Sequence, residues 1–483
     1  MTPTRSLLLA LLAPLLVVAG CATRPVNPPL AKVDPAGGYR LVNRPQVERT
    51  PDALVILTFS GGGTRAAAFA YGVLEVLRKT EVALPDGRKG RLLDSVDVIT
   101  GVSGGSFTAL SYGLYGERLF SEYETRFLKR NVQGELTQRF FTPTNWGALA
   151  SDGWGRSEMA AQLYDEILFE GKTFADLQRG DGPFIAVMTT DISTGSRVGL
   201  NQGMFDLLCS DISTFRLARA AAASSAVPVV LSPVTINNYG GSCGYRTPAW
   251  LAVAADTANP ARPAARAIKR MEELQSFGDG KARPFLHLVD GGLSDNLGMR
   301  AVLELLEEFE AARLRGLKTP LDNLKRIVVV VVNSLSVPKT NWDQTERPPG
   351  NLEILIKATG VPIDRYSYEN VELLRDMIAR WDLLRRVRES GALDVSRDPG
   401  LAPLLNPPSA RLYAIDVSFA QLKDPAEFEY LNDLPTSFVL PPEAVDRLRA
   451  AAGTALLASP DFQQLLKDIG AKVVDTPSAA PPK

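Results

Sequence analysis

Residues Ile327 to Val332 read Ile-Val-Val-Val-Val-Val, a β-branched run with no polar interruption. A strand with one solvent face alternates apolar and polar residues. A run without alternation belongs in the middle of a sheet covered on both faces, and such strands are usually parallel. Shorter strand candidates recur at Ala53 to Phe59, Val96 to Ile99, Phe184 to Met188, Phe285 to Val289 and Arg411 to Phe419. Helical stretches are expected between them, from about Arg65 to Lys79 and from Gly104 onward. Strands alternating with helices predict an α/β fold with a mainly parallel sheet.

The chain has 483 residues, 45% hydrophobic and 22% charged. That suits one large globular domain with additions, or two of ordinary size. The formal net charge of -1 gives no basic field for a nucleic-acid backbone, so nucleic acid is not an expected partner.

Both ends of the chain read differently from its middle. Arg5 precedes an apolar run from Ser6 to Val18 that ends in Val18-Ala19-Gly20-Cys21. The run is short and early, as in a secretory signal, and its end resembles a bacterial lipobox. Residues 1–20 are therefore expected to be a signal peptide and Cys21 a lipid attachment point, tethering the protein to a membrane without spanning it. Ala22 after Cys21 favours an outer-membrane lipoprotein. Residues 21–52 read as a flexible tether, 53–335 as the main α/β domain, 336–472 as a helical extension packed on it, and 473–483 as a disordered tail. Within the extension, Glu353 to Leu393 reads as helical with an interruption at Gly360-Val361-Pro362. Cys209 and Cys243 are either a disulfide pair in an oxidising compartment or two separate thiols; sequence leaves both open.

Two glycine-rich motifs lie at strand-to-helix junctions. Gly101-Val102-Ser103-Gly104-Gly105 matches Gly-x-Ser-x-Gly. A tight turn there lifts the serine out of the sheet, and the following helix N-terminus favours developing negative charge. Ser60-Gly61-Gly62-Gly63-Thr64-Arg65 supplies unshielded backbone amides suited to an oxyanion hole. It lacks the Gly-Lys-Ser/Thr ending of a P-loop, and Ala66 stands where a dinucleotide fingerprint needs its third glycine. Arg65 is either a brace for this loop, a head-group contact or a solvated first-turn residue.

The chain has one histidine, His287. Multi-histidine zinc chemistry is thereby excluded. In a strand Phe285–Asp290, His287 and Asp290 differ in parity and point to opposite faces. A carboxylate, Asp290 in Asp290-Gly291-Gly292, is then the candidate base for Ser103. Asp295 fits a helix cap better.

Taken in order, Gly61-Gly62-Gly63-x-Arg65, Gly101-x-Ser103-x-Gly105, Ala223-Ser224-Ser225-Ala226-Val227-Pro228 and Asp290-Gly291-Gly292 resemble the blocks of the patatin-like phospholipases. The resemblance covers about Leu54 to Gly298. It implies a three-layer α/β/α fold, a Ser103–Asp290 dyad and an oxyanion hole at Gly61, Gly62 and Gly63. Arg65, Gly101, Gly105, Gly291 and Gly292 complete the motifs. No cofactor or metal is implied, and the expected substrate is a lipid or other acyl ester. An acyltransferase using the same acyl-serine, or a non-catalytic envelope lipoprotein, are the alternatives. The segment Pro233 to Arg283 reads as a cover over the acyl site or as surface decoration.

Overall fold

The computed structural model describes residues 22–44, 52–83, 89–151, 154–254, 256, 265–337, 340, 342–391, 396–397 and 408–477. The expected signal peptide and the lipid site at Cys21 lie outside the described residues. The strands are β1 (Ala53–Phe59), β2 (Thr80–Ala83), β3 (Lys89–Arg91), β4 (Val98–Val102), β5 (Phe184–Asp191), β6 (Ser196–Leu200), β7 (Val234–Asn237), β8 (Phe285–Asp290), β9 (Arg326–Asn333), β10 (Arg411–Ser418) and β11 (Lys472–Val473). The helices that frame the site are α1 (Gly63–Lys79), α2 (Gly104–Tyr115), α3 (Val132–Phe141), α4 (Arg156–Tyr164), α5 (Leu217–Ser224), α6 (Arg300–Leu314), α7 (Asn351–Ser390) and α8 (Pro442–Ala458).

The main sheet runs β10-β9-β1-β4-β5-β8-β7, with β6 also paired to β5. From β10 to β5 every pairing is parallel. Strands β6, β7 and β8 join antiparallel. The β-branched run is β9, held between β1 and β10 with Ile327 to Val332 all buried. Its position follows from its composition, because only a strand covered on both faces buries every side chain. Helices α1, α2, α5 and α8 pack together in one layer, and α6 with α7 in another.

Four boundaries differ from the sequence expectation. Residues 22–44 are not a tether. They form a strap along the domain: Tyr39 is 1% exposed, stacks on Phe184 at 4.9 Å and accepts the Ile185 amide at 2.7 Å. Arg44 donates to the Leu177 carbonyl at 2.6 Å, and Asn27 to Ser210 Oγ at 2.8 Å. A few anchoring side chains hold this Pro-rich segment, and such anchors leave no periodic signal. Residues 336–472 are not a purely helical addition, since β10 lengthens the main sheet and α8 packs along α1. The tail starts later than 473, because Val473 pairs with Thr80 as part of β11. Helix α7 continues through Pro362, which is exposed, so the proline removes one backbone bond without ending the helix.

The segment Pro233 to Arg283 contributes the edge strand β7 beside β8, and Ala249–Ala254 packs on α6. Cys209 and Cys243 form a disulfide with Cα atoms 5.4 Å apart. The strap lies against it, with Leu30 donating to the Cys209 carbonyl at 2.8 Å. Among the described residues no helix is long and apolar enough to cross a membrane. The disulfide closes a separation of 34 residues, for which loop entropy gives a stabilisation of about 4 kcal/mol. Replacing both cysteines with serine should lower the unfolding free energy in urea by about that amount. A loss below about 1 kcal/mol would show that the strap secures this region without the bond.

Candidate active site

The sheet register brings three chain segments to one point. Strands β1 and β4 are parallel neighbours, so the turns after Phe59 and Val102 leave the same edge of the sheet. Val102 lies opposite Met188 on β5, and the next β5 residue, Thr189, lies opposite Asp290. Asp290 thus ends an antiparallel strand yet arrives level with Ser103. Its amide donates to the Ala226 carbonyl at 3.0 Å, and the Gly291 amide to the Ser224 carbonyl at 3.3 Å. The Ala223–Pro228 block therefore fixes the height of the aspartate.

Ser103 adopts φ 47 and ψ -122. This conformation is costly for a residue with a β-carbon and persists only when the surroundings impose it. The Ser103 amide donates to Ser224 Oγ at 2.9 Å, and that hydroxyl donates to the Met188 carbonyl at 2.7 Å. On the other side, the Ser106 amide and hydroxyl both donate to the Ser103 carbonyl, at 3.0 and 2.6 Å. Gly104 opens α2 against the glycine loop so closely that a β-carbon there would stand 1.9 Å from the Gly63 carbonyl oxygen. A β-carbon on Gly105 would stand 2.6 Å from the Ser60 carbonyl oxygen, and one on Gly101 2.7 Å from Ser106 Cα. These glycines are required by close approach.

Asp290 is 7% exposed. Burial disfavours its charged form and pushes its pKa up to about 6, against a partial lowering by the Gly292 amide and the Ser103 hydroxyl. The Gly292 amide donates to Asp290 Oδ1 at 2.8 Å. Both side chains of the expected pair thus come together, each nearly buried. His287 does not join them. It is exposed on β8, with Nδ1 3.0 Å from Thr235 Oγ1 on the neighbouring strand. Asp295 accepts from the Arg300 amide, the first of α6, at 2.8 Å, while Met299 holds the N-cap position itself.

The glycine loop needs one correction. The Gly61 amide is already bonded to the Asn296 carbonyl at 3.0 Å, which removes it from the set of free donors. The amides of Gly62 and Gly63 have no partner among the described residues. Gly62 has φ 139 and Gly63 φ 60, so both amides are turned by backbone conformations that side chains resist.

Arg65 is a brace. It is 3% exposed and donates to the Ser334 carbonyl at 2.9 Å, the Leu434 carbonyl at 2.5 Å and Thr436 Oγ1 at 3.1 Å. Burial brings its pKa down to about 10, with Asp364 partly opposing. Ser60 and Ser334 hydroxyls meet at 3.2 Å, and the Thr64 amide donates to the Ser437 carbonyl at 2.8 Å. A β-carbon on Gly63 would stand 2.3 Å from that same carbonyl oxygen. Sequence reasoning missed Ser224's direct bond to Ser103, the Asn296 carbonyl, Ser334 and the Leu434–Ser437 segment. The last two lie far along the chain in stretches without a recognisable spacing, and Asn296 acts through its backbone.

With this geometry in place, comparison with known proteins is informative. A model of the family described as patatin-like phospholipase matches residues 57–303, which contain both glycine turns, Ser103 and Asp290. The chain belongs to the patatin-like phospholipase family. No curated protein matches it. Among solved structures, human GIVD cytosolic phospholipase A2 aligns at 13% identity and TM-score 0.43, over 89% of this chain and 63% of the other. The chain thus spans less than two thirds of that protein. VipD from Legionella pneumophila aligns at 12% identity and TM-score 0.30, over 95% of this chain and 74% of its own. The patatin-like domain ends near Leu303 in the family model, whereas the brace on its glycine loop comes from residues 334 and 434–437.

The contact between Gly104 and Gly63 is open to a direct test. Gly104→Ala should separate the two turns, leave Ser103 unreactive toward a serine-directed phosphonate, and lower the melting temperature. Labelling at the wild-type rate would show that the close approach is not needed.

Proposed function

We propose that the protein is a serine acyl hydrolase that cleaves acyl esters of lipids, with Ser103 as nucleophile and Asp290 as base. The observation that carries this reading is the strained turn presenting Ser103 beside a buried carboxyl whose pKa is raised to about 6. A carboxylate in water is too weak a base for a serine hydroxyl; burial beside it makes the transfer more favourable. Membership of a phospholipase family supports a lipid ester as the substrate class.

The reaction proceeds in two halves. The Ser103 oxygen attacks the ester carbonyl and its proton passes to Asp290. The Gly62 and Gly63 amides, with the N-terminus of α2, hold the negative oxygen. Collapse breaks the ester C–O bond, and the departing alcohol takes the proton from Asp290. Water then attacks the acyl-serine, gives its proton to Asp290, and the fatty acid leaves as Ser103 recovers that proton. An acceptor alcohol in place of water would make the same centre an acyltransferase. We also propose that a lipid on Cys21 tethers the domain to a membrane, on the strength of the lipobox-like sequence.

A fluorophosphonate ester tests the reading. The wild type should be labelled on Ser103, Ser103→Ala not at all, and Asp290→Asn at least about a hundredfold more slowly. Ser103→Ala labelling at the wild-type rate would overturn it. The base works as a carboxylate, so activity should rise with pH through about 6 and stay level above. A rise centred near the ordinary aspartate value, about 4, would contradict a buried base.

A further inference from the structure

Two stretches carry no Asp, Glu, Lys or Arg: Phe140 to Ser151 and Ala220 to Tyr245. In a chain with 22% charged residues, both are unusual. Both also expose large apolar side chains. Phe141 is 75% exposed and Trp146 56%; Val229 and Val230 are 62% and 61% exposed, and Val227 39%.

Hydrogen bonds tie these stretches to one region. Ser151 bonds back to the Gly147 carbonyl at 3.1 Å, within the turn of Trp146. A few residues on, a β-carbon at Gly155 would stand 2.5 Å from Ser232 Oγ, and the Ser157 amide donates to that hydroxyl at 3.1 Å. Leu231 closes the turn that begins at Val227, its amide donating to the Val227 carbonyl at 2.9 Å, and Ser232 is the next residue. One residue before Val227, the Ala226 carbonyl holds the Asp290 amide. The exposed valines thus follow directly on the segment that sets the base.

Two further observations indicate what covers this surface. The Ala22 amide donates to Ser151 Oγ at 3.2 Å, so the first described residue is pinned beside Trp146. Cys21, the proposed lipid attachment point, precedes Ala22 directly in sequence. Second, Val229 has φ 73. A β-branched residue is strained in this region, where Gly or Asn fits readily. An exposed valine held there brings apolar surface at a cost to the backbone.

We propose that Phe141, Trp146, Val227, Val229 and Val230 form the face that the domain lays on a lipid bilayer, next to the reactive serine and the membrane-tethered end of the chain. Charges are costly at the acyl boundary and these stretches have none, while Trp146 suits the headgroup level. The proposal rests on the lipid-hydrolase reading for its purpose, but not for its test.

The experiment uses the full chain reconstituted in vesicles of phosphatidylcholine with brominated acyl chains. Bromine should quench the wild-type tryptophan emission, and Trp146→Phe should remove most of that quenching. Equal quenching in the two proteins overturns the proposal, whatever the activity. In parallel, Val229→Asn with Val230→Ser should keep hydrolysis of a soluble short-chain ester while hydrolysis of vesicle lipid falls about tenfold. Asparagine relieves the strain at 229, so a folding defect is not the expected cause of a loss. Unchanged vesicle hydrolysis also overturns the proposal. Failure of the wild type to hydrolyse any ester or to take the phosphonate defeats the hydrolase reading alone, and quenching then decides the docking face.

Discussion

The Gly63 carbonyl and the Gly104 α-carbon meet with no room for a side chain between them. That contact joins the turn after β1 to the turn after β4. Ser103 precedes Gly104, and its backbone is strained because the chain must reverse into α2 while touching the neighbouring turn. Parallel pairing of β1 with β4 makes the meeting possible by placing both strand ends on one edge. The Ser224 hydroxyl then locks the strained amide from the opposite side. If Ser103 is the nucleophile proposed above, it is held in place before any substrate arrives, a recognised use of backbone strain at functional sites.

Around this contact the buried Arg65 has a second structural consequence. Its hydrogen-bond partners are neutral oxygens, and its bonds to Ser334, Leu434 and Thr436 replace the water it lost. Those partners belong to the part of the chain beyond the family match. The same segment continues into Phe438, whose ring packs on Phe107 of α2 at 5.4 Å and near Tyr164 of α4 at 6.2 Å. The C-terminal third therefore supports the glycine loop and the serine helix together. Residues 434–438 thus contact both halves of the site.

The sequence made much of this legible because its signals were local. The unalternating run at Ile327–Val332 required a doubly covered strand, and β9 is one. Gly-x-Ser-x-Gly gained meaning from the strand before it and the helix after it. The lone histidine and its parity relative to Asp290 pointed to a carboxylate, and the two side chains lie on different faces of β8. What stayed hidden was non-local. Strand β7 is short, and its pairing depends on β8, a partner far away in sequence. The strap of residues 22–44 is held by single residues such as Tyr39 and Arg44, which no periodicity announces. Gly61 matched the motif as an oxyanion donor, but whether an amide is free depends on its partner, and Asn296 lies across the fold.

The role of Ser103 is tested most directly by trapping the acyl group in transit. The enzyme would be stopped with acid during turnover of a slow long-chain ester, digested, and its peptides weighed by mass spectrometry. The peptide containing Ser103 should be heavier by one acyl group, and this species should vanish in Ser103→Ala together with turnover. Sustained turnover by Ser103→Ala, or an acyl group found only on another residue, would contradict the account.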